Sequence, residues 1–170
     1  MKTEYFYGRL AANGGAVAAL AAGIDADQSR WKPSADAWSV LEVINHLADE
    51  ELEDFRQRLD LTLHQPQAPW PAIDPGADVL ARRYNTRKLA DSVQRFTARR
   101  AESLQWLRAL DAPDWTRTRS IPQFGSMTAG ALLASWQAHD CLHLRQLSEL
   151  LYAHAALQAA PLSVAYAGEF

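Results

Sequence analysis

Apolar residues recur along most of this chain every three or four positions, the spacing of one face of an α-helix. Four stretches follow that rule. The first runs from about Thr3 to Ala22, with Tyr5, Leu10, Val17 and Leu20 as its apolar anchors. The second starts after Ser39, a residue suited to capping a helix N-terminus, and continues to about Leu63. The third runs from about Ala77 to Leu110 with a break near Asn85, and the fourth starts after Thr128, another good N-cap, and reaches about His154. No stretch alternates strictly enough to predict a strand.

The connections sharpen this picture. The segment His64 to Gly76 holds Pro66, Pro69, Pro71 and Pro75, which forbid a continuing helix. It is long enough to cross from one end of a bundle to the other. Asp111 to Met127, with Pro113, Pro122 and Gly125, is similar. The pattern predicts an all-α four-helix bundle that is not simple up-down-up-down. A long crossover joins helices two and three, which should therefore run parallel. Residues 1–160 are expected to form a single domain and 161–170 a tail.

Composition narrows the function classes. A chain of 170 residues fits one domain with an adequate core. Its 17 basic and 20 acidic residues give a formal charge of −3, which argues against nucleic-acid binding. One cysteine excludes a disulfide framework or a Cys-based zinc finger. No apolar run reaches the ~18 residues of a membrane span. Ala16 to Ile24 is small and apolar, as in a signal peptide, but Asn13-Gly14-Gly15 interrupts the run. It reads better as an amphipathic helix, so a cytoplasmic protein is expected. Trp and Ala-rich helix faces exceed what one small bundle buries, which predicts a homodimer.

The chemistry concentrates in the histidines. His139 and His143 lie four apart in the fourth helix, so both rings leave one face and can converge on one ion. They share a stripe with Leu132, Trp136, Leu147 and Leu150, which turns them toward the core. Inward imidazoles need partners: a divalent metal serves both at once, and backbone carbonyls or carboxylates are the alternative. Asp140 lies about a quarter-turn away and is poorly placed to join the pair. A third ligand is needed, and His46 in the second helix is the best candidate. Its wheel position is awkward, opposite the apolar stripe of Leu41, Ile44, Ala48, Leu52, Phe55 and Leu59. Periodicity alone favours a surface position for it over a polar cleft. Glu50 shares its face, where a solvated carboxylate is the simplest reading and a weak ligand, a hydrogen-bond acceptor for a ligand or a general base are the alternatives. His64 reads as a capping or surface residue, and His154 is too far along its helix to reach the same ion. Cys141 reads as a small packing residue, and Arg87-Lys88 and Arg99-Arg100 as a solvated face. Trp136, one turn before His139, is the tryptophan expected to border a pocket.

Three segments carry a resemblance. The run Trp38-Ser39-Val40-Leu41-Glu42-Val43-Ile44-Asn45-His46-Leu47 and the run His139-Asp140-Cys141-Leu142-His143-Leu144-Arg145-Gln146-Leu147 resemble the second- and fourth-helix signatures of the DinB-like (YfiT-like) metalloenzyme family. Asp114-Trp115 and Gly125-Ser126-Met127-Thr128 look like its loop into the fourth helix. The resemblance covers about residues 5 to 153 and implies an up-down-down-up bundle. It also implies a divalent metal held by three histidines, which map to His46, His139 and His143, with His46 facing a cleft. Relatives include thiol transferases that use a low-molecular-weight thiol, and an isomerase. The expected function is a metal-dependent enzyme, a thiol S-transferase or a hydrolase, acting on a small-molecule substrate, possibilities against which stands a non-catalytic stress-response or binding module. Zinc or nickel suits imidazole best, with iron a third option, and Glu50 is the candidate base.

Overall fold

The computed structural model describes residues 2–121 and 125–168. The first bundle helix is α1 (Thr3–Ala21), followed by a short α2 (Ala26–Arg30). The second is built from α3 (Val40–Asp49), one wide π-helical turn (Glu50–Asp54) and α4 (Phe55–His64). The crossover carries α5 (Pro75–Ala81) and a 3-10 turn (Tyr84–Thr86), and then comes the third bundle helix, α6 (Leu89–Ala109). A strand pair, β1 (Thr118–Ile121) and β2 (Gly125–Thr128), leads into the fourth, α7 (Ala129–Ala159).

Local chemistry explains the boundaries. Ser39 Oγ accepts from the Glu42 amide, and the Glu42 carboxylate accepts from the Ser39 amide, a reciprocal cap that starts α3. Thr128 accepts from the Ala131 amide and starts α7. The break expected near Asn85 is the 3-10 turn, entered through Arg83 at a φ of 51°.

Ion pairs and hydrogen bonds give the helix directions. Ser39 meets Asn85, Asn45 meets Ser92, Asp49 meets Arg99, and Glu51 meets Arg100 and Ser103. Partner numbers rise together, so the second and third bundle helices are parallel. Across the second and fourth they run oppositely: His46 faces His143, whereas Phe55 stacks on Trp136. Leu10 and Tyr7 of α1 meet Arg100 and Arg108 of α6, an antiparallel pair. The path is up-down-down-up, as expected. Among the described residues, no helix is long and apolar enough to cross a membrane.

Two points depart from the sequence expectation. The connection into α7 holds an antiparallel strand pair, with Thr118 opposite Thr128 and Ile121 opposite Gly125. Strands of four residues are too short to show a clear alternation. Gly125 adopts a φ of 71°, which a side chain would strain. Secondly, the polar side of α3 does not face solvent. Every residue from Val40 to Glu51 is buried.

The core is split by a polar layer. One apolar cluster gathers Val17, Val43, Ile44, Leu47, Phe96 and Leu147; the other gathers Leu10, Phe55, Leu59, Leu107, Leu133 and Trp136. Between them lies Arg100, only 4% exposed, bonded to Glu51, to both Asp140 oxygens and to the Leu10 carbonyl. A Cβ at position 14 would meet the Arg100 Cγ at 3.1 Å, so Gly14 lets this side chain lie close against α1. Arg100 was expected on a solvated face. Its burial follows from two buried carboxylates on other helices, a pairing that no local pattern reveals.

Candidate metal centre

His46 sits on α3, and His139 and His143 sit one turn apart on α7. Ring centroids are 4.4 Å apart for His139–His143, 4.8 Å for His46–His143 and 5.4 Å for His46–His139. One nitrogen from each ring falls within 4.8 Å of the others. His46 is 6% exposed, against the surface position that periodicity favoured. Trp38 and the two α7 histidines pack against its ring, and the rest of the polar side of its helix is covered as well. Asp49 on that face takes hydrogen bonds from Tyr84, Arg82, Arg95 and Arg99, and Asn45 accepts from Arg87. The crossover and α6 thus lay an ion-paired lid over what looks like a solvent face on a helical wheel.

The outer neighbours orient the rings. Gln146 Oε1 accepts from His143 Nδ1 at 2.8 Å, which leaves the His143 lone pair on Nε2. That nitrogen lies 3.2 Å from His139 Nε2. Glu50 Oε1 lies 3.6 Å from His46 Nδ1. His139 Nδ1 is buried without a hydrogen-bond partner. Trp38 stacks parallel to His143 at 6.3 Å and edge-on to His46 at 5.0 Å, and Phe55 packs against His139 at 5.0 Å. Aromatic rings therefore wall the cluster on both sides.

Electrostatics keep these imidazoles neutral. Burial, reinforced by the neighbouring His143, lowers the pKa of His46 to about 3. Burial and the same neighbour bring His139 to about 3, and burial also lowers His143. Neutral imidazole is the ligating form. Three nitrogen donors within one small volume, two of them 3.2 Å apart, fit a divalent cation. Three ligands would leave a coordination position open, the arrangement of a reactive rather than a structural site.

Glu50 begins the wide π turn, a feature often found at functional sites. Burial, then the neighbouring Asp54, pushes its pKa up to about 9. The turn holds one residue more than an α turn, so it shifts the helix register. Leu52, expected in the apolar stripe, is 38% exposed, and Glu51 takes the inward position instead. Glu51 Oε1 accepts from Arg100 and from Trp136 Nε1 at 3.2 Å.

The remaining sequence candidates fall elsewhere. His64 is exposed and near Asp60, and His154 lies against Trp31. Cys141 is exposed rather than packed. Trp136 is core, and the tryptophan bordering the cleft is Trp38. A cleft of about 560 Å³ opens beside His143, lined by Pro33, Trp38, Gln146, Leu150 and Ala153. Sequence reading missed Asp140 as the anchor of α7. Its only signal was a carboxylate between two inward-facing turns of an apolar stripe.

A helical bundle of this path with three convergent histidines defines a class of candidate metalloproteins. The DinB superfamily model matches residues 9–147, and the chain belongs to that superfamily. Its fold is similar to that of YfiT from Bacillus subtilis, described as a probable metal-dependent hydrolase with an unusual four-helix bundle topology. The TM-score is 0.79 at 17% identity, over 91% of this chain and 88% of that one. A search of curated proteins finds no match.

Proposed function

We propose that this protein is a divalent-metal-dependent enzyme of hydrolytic type, with His46, His139 and His143 holding the ion. The observation that carries the reading is the convergence of three neutral, buried imidazoles beside an open cleft. The description of YfiT supports the same class. An ion held there would supply Lewis acidity and, as a nearby positive charge, would favour the ionised form of Glu50 that a base requires. Glu50 accepts the proton that an attacking water gives up and returns it to the leaving group. Trp38 and Phe55 restrict water to the cleft side, and Gln146 fixes the His143 ring. A thiolate would suit the same open position, so thiol transfer is the competing chemistry.

The test starts with untagged protein and elemental analysis. We expect one zinc or nickel per chain and hydrolysis of a generic aryl ester that requires it. Glu50→Gln should keep the metal and lower kcat by about 10²–10⁴. A low-molecular-weight thiol should inhibit. If it is consumed in a metal-dependent conjugation instead, the protein is a transferase. Full metal occupancy with neither activity would favour the non-catalytic binding module.

A further inference from the structure

Among the described residues two arginines are more than nine-tenths buried, and they are treated oppositely. Arg100 faces two carboxylates and a carbonyl. Arg119, on β1, is 7% exposed and makes one hydrogen bond, from Nη2 to the Gln65 carbonyl at 3.0 Å. A guanidinium has five N–H donors. Among the described residues Arg119 Nε is buried with no hydrogen-bond partner, and no carboxylate pairs with this side chain. The end of α4 explains part of the arrangement. Arg117 donates to the Leu63 carbonyl at 2.8 Å, so the two arginines cap a helix C-terminus. That end carries only about half a unit of negative charge, and it occupies one donor of Arg119. Burial pulls the Arg119 pKa down, as for a cation lacking a counter-charge.

Arg119 lines a cavity of about 770 Å³ between the end of α4, the proline-rich crossover and β1. Its guanidinium lies over Trp70 at 5.2 Å, and the Arg58 guanidinium lies over the same ring at 4.8 Å. Asp54 pairs with Arg58 at 2.8 Å, so one of the two charges on the indole is balanced and that of Arg119 is not. Trp70 Nε1 is a second buried donor without an acceptor among the described residues. Pro66, Pro69, Pro71 and Ile73 give the cavity an apolar wall. Unused donors and an unbalanced cation at one end, with an apolar wall beside them, describe a receptor for an anion with a hydrophobic body.

We propose that this cavity binds a small organic oxyanion, a carboxylate or phosphate ester with a flat apolar body, through Arg119 and Trp70 Nε1. Arg58 is rooted 12 residues beyond His46, about 18 Å along the helix, so this site is distinct from the histidine cluster. Its binding does not depend on the metal reading.

The test is titration of the protein with benzoate, phenyl phosphate and neutral benzamide, followed by calorimetry and by the Trp70 indole N–H resonance, assigned by its loss in Trp70→Phe. Saturable binding of benzoate or phenyl phosphate should shift that resonance, and benzamide should bind at least tenfold more weakly. The stronger of the two anions identifies the head group. Arg119→Gln should weaken binding at least tenfold, and Trp70→Phe, which keeps a ring but not the N–H, severalfold. If Arg119→Gln fails to fold, Arg119→Lys and Trp70→Phe decide. Protein stripped of metal and dialysed should bind equally well. The proposal is overturned by absence of binding, by equal affinity for benzamide, by affinity that survives both variants, or by binding that disappears with the metal.

Discussion

Each of the three clustered imidazoles has a different outer neighbour, so removing a ligand and removing the group that orients one have different consequences. His143 is oriented by Gln146, His46 lies near Glu50, and His139 Nδ1 has no protein partner. Replacing any of the three histidines by alanine leaves two donors, which chelate poorly, so stoichiometric metal should be lost in each. His64→Ala and His154→Ala should leave metal content unchanged. Gln146→Leu removes only the group that holds the His143 tautomer, and should weaken metal binding by about 10–100-fold without abolishing it. Competition titration against a chromogenic chelator measures all six proteins. Loss of metal in His64→Ala with retention in His46→Ala would show that the cluster is not the site.

At the scale of elements, the second bundle helix does most of the positioning. α3 presents His46, the wide turn presents Glu50 and Glu51, and α4 presents Phe55 under His139. The wide turn is held by the polar layer, since Arg100 joins Glu51 to Asp140 of α7, the residue next to His139. Breaking a buried ion pair by removing one partner costs about 3–5 kcal/mol, because the other charges stay buried. Arg100→Ala strands two carboxylates, so it should lose stability on that order in urea denaturation, whereas Arg145→Ala, in an exposed pair with Glu149, should lose less than about 1 kcal/mol. Local signals made much of this legible in the sequence. The caps Ser39 and Thr128, the prolines of the crossover and the four-residue spacing of His139 and His143 act within one turn or one loop. Other features were hidden because their causes are distant in sequence. The polar face of α3 is buried only because Arg82, Arg95 and Arg99 arrive from elsewhere, and Arg100 is buried only because Glu51 and Asp140 wait for it. The wide turn has no compositional mark, so the helical wheel misplaced Leu52 and Glu51.

For the whole molecule, these buried groups set how stability depends on pH. In the metal-free protein, His46 and His139 have folded pKa values of about 3, against about 6.5 when exposed. Between these values the unfolded chain binds more protons, so stability falls as pH drops below about 6.5. Glu50 acts in the opposite sense. Its folded pKa is raised from 4.5 to about 9, so the folded protein binds the extra proton between those limits. The stability this contributes is complete below 4.5 and is lost as pH rises toward 9. Among these three groups, the two histidines outweigh Glu50 between about 4.5 and 6.5, and above 6.5 Glu50 alone still titrates. From these groups, stability should therefore peak near pH 6.5. Glu50 should contribute at most about 1.4 kcal/mol per pH unit to the alkaline decline, the value for one proton. Glu50→Gln cannot ionise, so it should lose the Glu50 part of the alkaline decline between pH 7 and 9, and its acid limb should become steeper, since no carboxyl now opposes the two histidines. His139→Gln should do the reverse, with a shallower acid limb and an unchanged alkaline one. Thermal melts of the metal-free wild type and the two variants across pH 4 to 9 check this. A wild-type curve without an alkaline decline, or a Glu50→Gln curve that declines in parallel with it, would mean that Glu50 is not held protonated at the end of α3.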